Sequence, residues 1–186
     1  MRKHKFILLV FCFVICLTAC QPIGSETQQE PLAQNKVHSN FKKGYSQYTN
    51  GIFGFYLTFP AAWASSTSEY REATDQYNSS PDSEIRIFID GDEGNYICVY
   101  GQHGQIAVLD SDAYEATEFH TDSGLSGVLY QREIDARAEC HLVFLENKHL
   151  AVSIRMDLDV FQKNEEKIIG VLKSIEQILM IGNIYD

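Results

Sequence analysis

Four histidines and one acidic run are the residues of this chain whose types could hold a metal or move a proton. His103, His120, His141 and His149 lie in its second half. No two of them stand four apart, the spacing that puts two imidazoles on one helix face to share a metal. His141 and His149 could meet across a hairpin beside Glu139, but histidines on solvated strand positions explain the pattern more simply. The run Asp90-Gly91-Asp92-Glu93-Gly94-Asn95 is rich in oxygen ligands and suggests calcium. A helix-flanked calcium loop needs glycine at its sixth position and glutamate at its twelfth. Here glycine is fifth and Gly101 is twelfth. A tight hairpin wants the same Gly, Asp and Asn for its positive-φ positions, so the run is read as a turn. Ser123-Gly124-Leu125-Ser126-Gly127 lacks the Gly-x-Ser-x-Gly spacing that exposes a nucleophilic serine. No catalytic residue, metal site or cofactor is therefore expected.

The five cysteines divide into three kinds. Cys12 and Cys16 fall within Phe6 to Leu17, twelve residues without charge that follow Arg2, Lys3 and Lys5. A positive start, an apolar stretch and a small residue, Ala19, make a secretory signal peptide over residues 1–19. Twelve residues rise only about 18 Å as a helix, against a hydrocarbon core of about 30 Å, so the segment is too short to stay as a membrane span. Leu17-Thr18-Ala19-Cys20 resembles the cleavage site of bacterial lipoproteins. The resemblance implies that Cys20 receives a diacylglycerol and becomes the first mature residue, held to the membrane on its extracytoplasmic side. Two acyl chains anchor stably where one does so only marginally. Cys98 and Cys140 remain, 42 positions apart, which is not the close pairing of a zinc site.

Charge excludes some partners. Removing residues 1–19 takes away three basic residues and no acidic one, leaving 12 Lys+Arg against 25 Asp+Glu, a net −13. Such a surface repels nucleic acid and anionic head groups. The membrane is reached through the lipid on Cys20, and nucleic acid is not an expected partner. An aromatic content of 12% suffices for a packed core.

The elements that must position these residues follow from periodicity. Residues 20–47 are polar and aperiodic and read as a lipidated flexible tether, with a coil reach of roughly 30 Å. One globular domain is expected over 48–186. Asn50-Gly51 signals a turn. Phe55, Leu57 and Phe59 alternate with Tyr56 and Thr58 as a half-buried strand ended by Pro60. Trp63 is expected to anchor the core. Residues 65–83 read as a long polar loop. Ile85, Ile87 and Ile89 mark a second strand, with Asn95 to Tyr100 as its hairpin partner. Asp110 to Ala116 suggests a short helix, and Glu118 to Thr121 a strand. Leu125 to Ile134, Cys140 to Glu146 and Leu150 to Met156 complete a meander. Leu142 to Leu145 is apolar on both sides, which implies a sheet covered on both faces. Asp159 is read as the cap of a final helix whose stripe is Phe161, Ile168, Leu172, Ile175 and Leu179; Gly182 and Asn183 end regular structure.

Cys140 shares a face with Leu142 and Phe144, where a free thiol behaves as a small apolar side chain. Cys98 lies in the earlier hairpin. Two free, buried thiols are expected, with a bridge as the alternative that export permits.

Gly54-Phe55-Tyr56-Leu57-Thr58-Phe59-Pro60-Ala61-Ala62-Trp63 resembles the opening motif of the PsbP-like proteins, and the end, Val171-Leu172-Lys173-Ser174-Ile175, is similar too. The resemblance spans about residues 48–178. It implies an α+β fold, a mostly antiparallel sheet flanked by helices in an α/β/α sandwich. The family includes many bacterial lipoproteins, and nothing here suggests the photosynthetic role of its plant members. The expected function is a non-catalytic binding module engaging an envelope protein or small ligand. Tyr56, Phe88, Tyr96 and Tyr100 could line its cleft, although packing is the default role for such residues. An envelope enzyme accessory, with a site on the 65–83 loop, or a small-molecule carrier is the alternative.

Overall fold

A computed structural model describes residues 35–69, 82–103, 106 and 111–178. The expected signal peptide, Cys20, the expected tether up to residue 34, residues 70–81, Asp110, Leu179, Gly182 and Asn183 lie outside the described residues.

The alternation that begins at Phe55 becomes β3 (Phe55–Pro60), whose side chains are buried and half-buried in turn. Two strands precede it: β1 (Lys36–Lys42) and β2 (Tyr45–Asn50), each antiparallel to the next. The described strands thus begin at Lys36, ahead of the expected domain start at 48. Tyr48 sits inside β2 and is fully buried. β1 was missed because six of its seven residues face solvent, so no buried side imposes a period of two. Asn35 ties this start down: its Nδ2 donates to Ser83 Oγ at 2.7 Å and its Oδ1 accepts from Gly51 N at 3.1 Å. Asn50, also fully buried, closes the expected turn. Its Oδ1 accepts from the N–H groups of Ile52 and Phe53, and its Nδ2 donates to Tyr48 Oη and Ser83 Oγ. A buried amide with donors and acceptor all used fixes the turn rather than weakening it.

The larger sheet has seven strands: β4 (Ala64–Glu69), β5 (Ser83–Phe88), β6 (Tyr96–Gly101), β7 (Glu115–His120), β8 (Ser126–Ile134), β9 (Arg137–Phe144) and β10 (Leu150–Asp157). Their spatial order is β4-β5-β6-β10-β9-β8-β7, antiparallel at every pairing. The local hairpins and the β7–β10 meander match the alternation in the sequence. Two expectations do not hold. The start of the 65–83 loop is the edge strand β4, whose Ser and Thr side chains gave no apolar period. The expected 110–116 helix is a single 3-10 turn at Ser111–Ala113, followed at once by β7.

Helix α1 (Leu158–Lys173) buries Phe161, Ile168, Val171 and Leu172 along one stripe. Its N-cap is Asp157; Asp159, expected there, lies in the first turn, where its charge still suits the positive helix end. The helix stops earlier than its apolar stripe suggested. Ser174 Oγ donates to the carbonyls of Val171 and Thr58 and accepts from Thr58 N, and β11 (Glu176–Gln177) then pairs with β3. Ile175 is buried from an extended segment, not from a helix. The smaller sheet is thus β1-β2-β3-β11.

The core lies between one face of the large sheet and a second layer made of the small sheet and α1. Ile85, Ile97, Val99, Leu142, Phe144 and Ile154 meet Tyr48, Phe55, Leu57, Phe59 and the helix stripe there, with Trp63 packed among them as expected. The expectation of a sheet flanked by helices is corrected: among the described residues there is one α-helix, and it shares its layer with a second sheet. The expected double cover at residues 142–145 also fails. Val143 is half-buried and Leu145 is 60% exposed on the other side. The fold is α+β and mostly antiparallel.

Candidate functional site

The face of the large sheet that points away from the core collects the polar partners of the alternating strands. Register places its side chains in three rows across the sheet. The first row runs Ala64, Phe88, Tyr96, Arg155, Glu139, Arg132. The second runs Ser66, Arg86, Cys98, Ser153, His141, Tyr130, Ala116. The third runs Ser68, Glu84, Tyr100, Ala151, Val143, Val128, Glu118. Arg137, opposite Asp157, extends the face beyond the first row. All four arginines of the described residues therefore stand on this one face.

Two ion-pair clusters organise it. On one side Glu84 is only 4% exposed, and three groups hold its carboxylate. Arg86 Nε lies 3.0 Å from Oε1, Ser68 Oγ donates to Oε1 at 3.0 Å, and the Cys98 thiol donates to Oε2 at 3.3 Å. The Arg86 guanidinium stacks 5.5 Å from the Tyr96 ring centre. Burial, with the Glu84 charge beside it, pushes the Cys98 thiol well above the ordinary range, so it is held as the unreactive thiol. On the other side Arg132 donates to Glu139 Oε2 through Nε at 2.8 Å and through Nη2, while Arg155 Nε stands 3.8 Å from Oε1. The Arg132 hydrogen bonds hold Glu139 below the usual carboxylate range. Tyr114 lies over the Arg132 guanidinium at 4.5 Å and meets the His141 ring edge-on at 5.6 Å. Desolvation lowers the His141 pKa, only partly opposed by Glu139, so this imidazole favours its neutral form.

Three of the four aromatics singled out from the sequence lie on this face: Phe88 and Tyr96 are direct partners, and Tyr100 lies two rows on, beyond Cys98. Tyr56 does not join them; it belongs to the small sheet opposite Glu176. The histidines disperse. His103 Nδ1 is 2.8 Å from Asp82 Oδ2, His120 Nε2 is 3.1 Å from Glu118, and His149 Nδ1 is 3.0 Å from the Gln102 carbonyl. His141 pairs with Ser153 and Tyr130, away from His149. No cluster of three His, Cys, Asp or Glu side chains able to hold a metal occurs among the described residues.

The acidic run is the β5–β6 turn. Asp92 spends its carboxylate on Gly94 N and Asn95 Nδ2, each at 2.8 Å, and Asp90 and Gly91 take positive φ of 53° and 78°. Cys98 and Cys140 are free and buried. They cannot meet: Cys98 is on the outer face of β6 and Cys140 on the core face of β9, with β10 between. Burial pushes Cys140 up to about 11 although Gln131 hydrogen-bonds its sulfur.

Two clefts lie elsewhere. One, of about 300 Å³, runs between α1 and β8–β9 past Glu115, Arg132, Cys140, Phe161 and Glu165. The other, of about 490 Å³, runs between α1 and the small sheet past Lys42, Tyr45, Glu166 and Lys167. Both mix acid and base without convergence on one point.

Fold and face together define a mostly antiparallel α+β domain that presents a broad aromatic and arginine-rich surface. No protein-family model matches the chain, and no curated protein matches it. Among solved structures it is similar to the solution structure of cyanobacterial PsbP (CyanoP) from Synechocystis sp. PCC 6803. The identity is 13% and the TM-score 0.49, covering 72% of this chain and 92% of that one. The fold assignment given above stands on strand order and register, and no activity is taken from this similarity.

The arginines of the face were not singled out from the sequence. Each occupies a strand position opposite to the apolar ones, a signal that was present, but their assembly depends on the placement of β10.

Proposed function

We propose that this chain is a lipid-anchored extracytoplasmic protein of PsbP-like fold, attached through Cys20, that works without catalysis as a binding module for an envelope protein. The observation that carries the reading is the outer face of the large sheet. Tyr and Arg are the side chains enriched where proteins bind one another, because they offer large contact area and directed hydrogen bonds at modest entropic cost. Here Arg86, Tyr96 and Arg155 stand on the adjacent strands β5, β6 and β10, and Tyr130 stands on β8 beyond β9, all on one face. The anchor rests on the charge pattern, apolar length and Leu17-Thr18-Ala19-Cys20 of the leader.

Two experiments test it. Cys20→Ala should leave the protein unprocessed or released on cell fractionation, and a mature, membrane-bound variant sinks the anchor. A photoreactive phenylalanine at position 88 should yield a discrete cross-linked protein in membranes, whereas the same group at exposed Lys173 should not. No adduct at 88, or equal adducts at both, rejects the face.

A further inference from the structure

We infer, resting on that reading of the face, that its partner presents an acidic polypeptide segment, met by the outward guanidinium groups of two neighbouring rows. Depth carries the charge argument. Glu84 and the Glu139 side chain are 4% and 17% exposed, but the Arg86 and Arg155 side chains are 46% and 54% exposed. Carboxylates thus form the floor and guanidinium groups the outer surface. Each of these two arginines turns Nε toward the carboxylate beneath it, at 3.0 Å and 3.8 Å, which orients the planar fork that matches a carboxylate two-pronged. The Tyr96 ring lies between them in register, stacked by Arg86 and directly opposite Arg155. Among the described residues, the acids that share the face at comparable height sit at its rims: Asp157 beside Arg137, and Glu118 on the edge strand.

Spacing decides the size of the ligand. From the Arg86 strand to the Arg155 strand the order is β5-β6-β10. Two spacings of about 4.8 Å make roughly 10 Å, which one small anion does not bridge. An extended peptide covers that distance with about three residues. The chain as a whole is acidic, with net charge −10, so its own surface offers an anionic segment few other attractive places. The Tyr–Arg composition favours a polypeptide over other polyanions.

The test titrates the purified full-length protein in detergent with fluorescein-labelled hexaglutamate, read by anisotropy. Binding should be saturable and weaken as salt rises. Arg86→Gln combined with Arg155→Gln should weaken it about tenfold or more. Lys167→Gln, in the cleft beside α1, should leave it unchanged, and unaltered melting curves exclude unfolding of the variants. Absence of binding at low salt, equal binding by the double variant, or tighter binding of inorganic polyphosphate through the same arginines overturns the inference. If the cross-link from position 88 persists while hexaglutamate fails, the acidic partner falls and the binding face stands. If both fail, both fall.

Discussion

The two faces of the large sheet share a backbone and differ in everything their side chains do. The core face is built of Ile, Val, Leu and Phe that exclude water and carry the stability. The outer face alternates with it residue by residue and carries ion pairs, stacked rings and neutral His141. Exposed ion pairs contribute little to folding, whereas the buried Glu84 carboxylate needs Arg86 and Ser68 as partners. The exposed guanidinium ends of these pairs are what the face presents.

The largest expected effect removes the layer that makes one face a core. A truncated chain starting at Tyr48 loses β1 and half of β2, and should lose its cooperative thermal transition; a chain starting at Asn35 should keep it. If both melt alike, the small sheet is not needed to cover the core face.

Next comes a matched pair of substitutions. Phe59→Ala on the core side should cost about 3–5 kcal/mol in urea unfolding. Tyr96→Ala on the outer side should cost about 1 kcal/mol or less. Similar losses would erase the distinction between the faces.

The cysteines sharpen it further, since both are buried but on opposite faces. Cys140→Ser puts a hydroxyl beside Ile154 and Gln131 on the core face and should cost about 1–3 kcal/mol. Cys98→Ser keeps a donor toward Glu84 and should cost less. The domain without Cys12, Cys16 and Cys20, purified without reductant and denatured, should take up two alkylating groups, and in its native state it should react slowly at both sites.

The smallest effect is a pH dependence confined to the outer face. The His141 pKa is lowered from 6.5, so its contribution to stability is present above 6.5 and is lost as pH falls toward its folded value. The Glu139 pKa is lowered from 4.5, so its contribution is present above 4.5 and is lost as pH falls through its lower folded value. His141→Gln should flatten the urea midpoint between neutral pH and about pH 5. An unchanged slope would remove His141 from the account.

Much of this was legible in the residues. The β3, β5 and β10 alternations report which side of a strand meets apolar neighbours, and the place of Trp63, a large aromatic just past a strand end, marks it as a core anchor. β1 and β4 were not legible because their side chains are polar or exposed on both sides, so only hydrogen bonds to a neighbour make them strands. Helix α1 was visible by its stripe, but its end was not: the stop at Ser174 depends on the Thr58 backbone, 116 positions away.

By itself, then, the sequence determined most of the local strands and hairpins, the helix and the burial of both thiols, because period and turn chemistry act over a few residues. Only the tertiary structure decided that β10 enters between β6 and β9. That pairing joins residues some fifty positions apart, from Tyr96–Gly101 to Leu150–Arg155, and no local pattern encodes it. It alone brings Arg86 and Tyr96 beside Arg155 and Glu139, and so turns scattered polar positions into one surface.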